Sequence, residues 1–154
     1  MKKLLIVFIG VLLSACSNDD PKAIKGLEHS DLYLNLKDKG FTDESNVTDL
    51  GVSHINQKES FGAKYQVSSI GTSKYLYGYT ASVTADYDLS KNIDANQFLQ
   101  FVTTLPYEGS QPEVIRLWVE NNYNETSKDT IIGGVKFELK SPTNFSRLLN
   151  VTKQ

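Results

Sequence analysis

The chain holds one cysteine, two histidines and four prolines in 154 residues, and no run of lysines or arginines. A single thiol cannot close an intrachain disulfide, so a domain built from this sequence must stand by packing alone. The histidines, His29 and His54, are 25 positions apart with no second cysteine to join them. That is not metal-ligand spacing, so no metal or other cofactor is expected, and each histidine reads as a solvated side chain in or beside a loop. With 16 basic against 18 acidic side chains and no basic cluster, nucleic acid is an unsuitable partner. Gly-x-Ser-x-Gly elbows, Walker loops and Gly-x-Gly-x-x-Gly turns are also absent. Glu28-His29-Ser30-Asp31 has the letters of a hydrolase triad, but adjacent residues cannot fold onto one another as nucleophile, base and orienter. No catalytic residue is singled out, and the chain is not expected to be an enzyme.

Long apolar runs are equally scarce. The longest, Leu4 to Ala15, covers 12 residues. As a helix it would span about 18 Å against a hydrocarbon core of about 30 Å, too short to cross a membrane. Met1-Lys2-Lys3 before it is positively charged, and the small residues Ser14 and Ala15 lead into Cys16. This is the three-part plan of a secretory signal.

Leu13-Ser14-Ala15-Cys16 resembles the lipobox of bacterial lipoproteins, and the resemblance covers residues 1 to 16 only. It implies that the Cys16 thiol takes a diacylglycerol through a thioether, that the chain is cut before Cys16, and that the new amine is acylated. Each buried acyl CH₂ is worth about 0.8 kcal/mol, so two or three chains would hold the protein on a bilayer without spanning it. The implied location is the cell membrane or outer membrane, facing periplasm or cell exterior. The expected organisation is a signal peptide over 1–15, a lipidated tether over 16–26 and a single domain over 27–154. Cleavage removes two lysines and leaves 14 basic against 18 acidic side chains, a formal charge of −4.

Within the domain, "SDLYLNLKDKGF" reads as a helix over about 31–39, with Ser30 as N-cap, Gly40 in the left-handed closing position and Phe41 packing back on Leu36. Residues 42–60 hold few apolar side chains and read as a long loop, with a short strand near Val52 to Ile55. Alternation is strong from Phe61 to Val67 and from Tyr75 to Tyr87, so these runs predict a hairpin turning at Gly71 to Ser73, with a bulge near Gly78. Asp94-x-x-Gln97, with Ile93 and Phe98 as a hydrophobic staple, and Ser110-x-x-Glu113 open two further helices. Ile131 to Lys140, with Gly133-Gly134 taken as a bulge, and Phe145 to Val151 predict a second hairpin. The expected fold is α+β, an antiparallel sheet of four or five strands with helices on one face, in the order helix, hairpin, helix, helix, hairpin.

Tyr75, Tyr77 and Tyr79 would project from one strand face as a ladder. They either join the core or, where the strand outruns the helices, form an exposed aromatic platform. The function expected from these features is a non-catalytic binding or assembly module, anchored at the envelope through Cys16 and meeting an envelope protein through its sheet face or strand edge. Two alternatives are carried beside it. One is an inhibitor or exclusion factor, which would gather acidic and aromatic side chains on one surface. The other is a hydrolase with an unrecognised site, which would require a deep cleft.

Overall fold

The computed structural model describes residues 20–49 and 51–154, so Cys16 and the signal segment lie outside the described residues. In chain order the elements are α1 (His29–Asp38), β1 (Thr42–Thr48), β2 (Gly51–Ser60), β3 (Ala63–Gly71), β4 (Leu76–Ala85), α2 (Ile93–Thr103), α3 (Pro112–Asn122), β5 (Ser127–Ile132), β6 (Val135–Thr143) and β7 (Ser146–Lys153). The strands form one antiparallel sheet in the order β1-β2-β3-β4-β7-β6-β5.

Among the described residues, seven strands and three short helices replace the expected sheet of four or five strands with helices on one face. The protein is mostly sheet, and both hairpins of the expected order are longer meanders. Two physical reasons account for this. The first is that β1, "TDESNVT", is exposed at every position and β2 buries only Asn56, so neither strand carries the apolar alternation that marks a half-buried strand. The second is that Gly133 and Gly134, both at positive φ, make the two-residue turn between β5 and β6. This is the mirror-image turn that matches strand twist, not a bulge within one strand.

The core lies on one face of the sheet. Register places Val67 opposite Ala81, Ala81 opposite Leu149, and Leu149 opposite Leu139, and all four are buried. Against this row α2 lays Phe98, Leu99 and Val102, and α3 contributes Ile115 and Val119. Burying each such side chain is worth about 1.5–3 kcal/mol. The Tyr79 hydroxyl donates to the Val102 carbonyl and ties β4 to the end of α2. The other face stays wetter, with Thr80 donating to Asn150 and Asn150 to Glu138 across three strands.

The helix ends differ in detail from expectation. Glu28, not Ser30, caps α1, and its backbone N–H is held by the Asp31 carboxylate at 2.8 Å. Asn92 caps α2 by accepting from the Ala95 N–H at 2.7 Å, which leaves Ile93 in the open rather than stapled to Phe98.

Residues 20–26, expected as part of a tether over 16–26, belong to the fold instead. Ala23, Ile24 and Leu27 are buried. The Ile24 N–H donates to the Leu76 carbonyl at 2.8 Å, the Glu108 N–H donates to the Lys25 carbonyl at 2.7 Å, and the Tyr77 hydroxyl donates to the Asp20 carboxylate at 2.7 Å.

Candidate functional site

One end of the sheet gathers apolar side chains that the fold does not bury. Ser60 pairs with Ala63 around the Phe61-Gly62 turn, and Ala63 pairs with Ala85 at the close of β4. Ala85 and Leu89 then donate to the carbonyls of Phe145 and Asn144 in the β6–β7 turn, so two hairpin tips and the start of α2 meet here. At this end Phe61 is 86 % exposed, Ile93 71 % and Phe145 51 %. Asp86, Asp88 and Asp94 are exposed among them. The backbone N–H of Ser90 leads the interactions that hold the Asp88 carboxyl below its ordinary pKa.

Phe61 also sits in an unfavourable backbone conformation. Its φ is +51°, followed by Gly62 at +75°. A two-residue turn of this hand favours Asn-Gly, and a bulky L-residue there costs of order 1–2 kcal/mol. An asparagine would serve the turn better, yet the position holds a phenylalanine with almost its whole ring in water.

Beneath Phe61 runs a groove of about 350 Å³ lined by Phe41, Tyr65, Phe98 and Phe101, with Lys39 and Lys58 on its rim. Phe41 stacks on Phe98 at 5.6 Å between centroids, and Tyr65 meets the same ring edge-on at 5.3 Å. The Lys39 ammonium stands 4.4 Å from the centre of the Phe101 ring, and Lys58 donates to the Lys39 carbonyl at 2.8 Å. Burial pushes the Tyr65 phenol above its ordinary pKa. These groups can grip an apolar or aromatic side chain, but none of them is an activated nucleophile or base.

Tyr75, Tyr77 and Tyr79, read as either core or an exposed platform, do not share an exposed face. Between the pairs Gly71↔Leu76 and Ile70↔Gly78 the register shifts, which gives β4 one extra residue at Tyr77. Alternation is thereby broken inside the ladder. Tyr79 turns into the core, where burial pushes its phenol far up, while Tyr75 and Tyr77 are half-buried beside the N-terminal segment. The Tyr77–Asp20 hydrogen bond holds the phenol's pKa up and the carboxyl's down.

No known protein family, curated protein or solved structure matches the chain.

The histidines, expected to be solvated, come together instead. His29, the first residue of α1, is buried, with Nδ1 at 3.0 Å from the Thr72 carbonyl and Nε2 at 2.8 Å from the Ser69 hydroxyl. A carbonyl can only accept, so in the neutral ring Nδ1 carries the proton and Nε2 accepts from Ser69. His54 pairs with Asp43 at 2.9 Å and stacks on Tyr33 at 4.2 Å between centroids. The Ser69–His29 contact has the polarity of a nucleophile and its base, but both side chains are sealed beneath the helix and no substrate can reach them. Among the described residues no group of three or more His, Cys, Asp or Glu could hold a metal ion, and no helix is long and apolar enough to cross a membrane.

Sequence reasoning missed the Phe61 end altogether. The signal was present, since "SFGA" sets a phenylalanine where a two-residue hairpin turn calls for asparagine.

Proposed function

We propose that this protein is a non-catalytic, lipid-anchored binding module of a bacterial cell envelope, and that a protein partner docks on the end of the sheet formed by Phe61, Ile93 and Phe145. The observation that carries the docking site is Phe61 itself. A side chain that is 86 % exposed at φ +51° costs the free protein stability twice, through backbone strain and through bare apolar surface. A partner that covers the ring removes the bare apolar surface, and that contact offsets the strain, which remains in the turn. The anchor rests on the lipobox resemblance at Cys16.

The anchor is tested by mass measurement of the native protein and by membrane fractionation of Cys16→Ser. Acyl chains on the first and release of the second are expected, whereas an unmodified thiol removes the anchor. The docking end is tested by a photo-crosslinking residue placed at 61 or 145 in native membranes, with Ser68 on the wetter sheet face as control. A discrete neighbour captured from 61 and 145 but not from 68 is the expected outcome, and equal capture from all three refutes the assignment.

A second reading is favoured by the company Phe61 keeps. Exposed Asp86, Asp88 and Asp94 share its end with Phe145, the acidic and aromatic mixture that suits an inhibitor or exclusion factor blocking a foreign protein. Capture of an incoming enzyme, phage component or toxin, rather than a resident envelope protein, would select it.

A further inference from the structure

The N-terminal segment is clamped to the end of the sheet opposite Phe61. Asp20 is held by Tyr77, Ile24 by Leu76 and Lys25 by Glu108. This end carries the β3–β4 turn at Thr72 to Tyr75, the β5–β6 turn at Gly133-Gly134 and the start of β2, because Gly71 pairs with both Leu76 and Val52 and Val135 pairs with Lys153. Only four peptide steps separate Cys16 from Asp20, and four residues reach at most about 14 Å when fully extended. From Leu76 to Ala85 the ten residues of β4 extend about 33 Å along the sheet.

We propose that lipid attachment at Cys16 orients the domain, setting the end that bears Lys74, Tyr75 and the Gly133-Gly134 turn against the phospholipid headgroups and holding Phe61 and Phe145 away from them. The inference rests on the anchor reading and adds a direction to it. Chain length excludes the inverted orientation, since a lipidated Cys16 cannot reach past the far end of a strand more than twice its tether's length. The surface suits the contact. Lys22, Lys25, Lys74 and Lys153 are matched by Asp20, Glu28, Asp49 and Glu108, a balanced set that neither repels nor demands an anionic bilayer. Lys74 lies over the Tyr75 ring at 5.2 Å, an aromatic with a cationic neighbour of the kind that settles at headgroup depth. Val47, 88 % exposed, sits near the same end, because it pairs with Val52 and Val52 with Gly71. The partner of the Phe61 end must therefore extend some tens of ångströms from the bilayer.

The test uses the lipidated full chain in phosphatidylcholine vesicles that carry a headgroup spin label. Cys16 is consumed by lipid, so Lys74→Cys and Phe145→Cys each offer one thiol for a fluorophore. Quenching several-fold stronger at 74 than at 145 is expected, and inserting a dozen Gly/Ser residues after Cys16 should erase the difference. Equal or reversed quenching on protein that floats with the vesicles overturns the orientation while leaving the anchor intact. Failure to float overturns the anchor and the orientation together.

Discussion

The imidazoles of His29 and His54 meet edge to face with their ring centroids 4.7 Å apart, and they join α1 to β2 across a seam that is polar where an apolar core would be expected. Tyr33 stacks on His54, Asp43 accepts from it, and Ser69 and the Thr72 carbonyl hold His29. Burial, chiefly, holds the His29 pKa below its ordinary 6.5, the nearby His54 lowering it further, while the Thr72 hydrogen bond and Asp43 act in the other direction. The unfolded chain therefore takes up this proton before the folded one does. Stability contributed by the neutral ring is complete above about pH 6.5 and is lost as pH falls through the lower folded value. Urea midpoints measured at about pH 7.5 and pH 5 should show the decline. His29→Gln should be less stable at the higher pH and should flatten the dependence, and an unchanged slope would remove His29 as its source.

Replacing Phe61 by asparagine should raise stability while weakening partner capture. Relief of a left-handed phenylalanine is worth about 1 kcal/mol, or about 3 °C in Tm for a domain of this size. Calorimetry together with crosslinking yield checks both halves. A variant that loses stability would show that the ring contributes to the fold, and one that keeps full capture would show that it does not contribute to docking.

Arg147 is buried, and among the described residues its hydrogen bonds go to neutral acceptors. It donates to Asn124 at 2.7 Å and to the carbonyls of Thr143 and Ser146 at 2.9 and 2.8 Å, and its guanidinium lies 4.7 Å from the centre of the Tyr123 ring. Arg147→Ala should cost about 3 kcal/mol, because it empties the site and leaves these acceptors unpaired. Arg147→Lys keeps the charge but not the fork, so it should recover only part of the loss in denaturant titrations.

Shortening the chain from Asp20 to Glu28 should cost the fold a great deal. Removing Ile24 and Leu27 forfeits about 3–6 kcal/mol of apolar burial, a large share of the 5–15 kcal/mol that stabilises an ordinary domain. Thermal unfolding of chains beginning at Asp20 and at Glu28 would show the step, and equal Tm values would contradict the docked segment.

What could be read from the sequence follows burial. β3 and β4 were legible because Tyr65, Val67, Ala81 and Val83 face a core while their neighbours face water, and α1 was legible through Leu32, Leu36 and the Gly40 closure. β1 was not, since Thr42 to Thr48 buries nothing and is held by backbone pairing and polar contacts such as Asp43 to His54, which leave no apolar alternation. The paired histidines stayed hidden because helix and strand meet through the fold, across residues distant in sequence. Tyr79 and Tyr77 parted company through one inserted residue, which reverses the facing of everything on one side of it. Ala23 and Ile24 read as tether because two apolar residues among polar ones carry no period.

The place of β7 between β4 and β6 has a consequence for biogenesis. The last strand in chain order is the keystone of the sheet, and Thr80 finds Asn150 only across a separation of 70 positions. Without that strand, the β1–β4 meander and the β5–β6 hairpin share no strand pairing, and the edges of β4 and β6 that β7 joins are open. A polypeptide threaded through a translocon must stay unfolded while it passes. If the chain is exported as proposed for Cys16, a sheet completed by β7 would suit that requirement by topology.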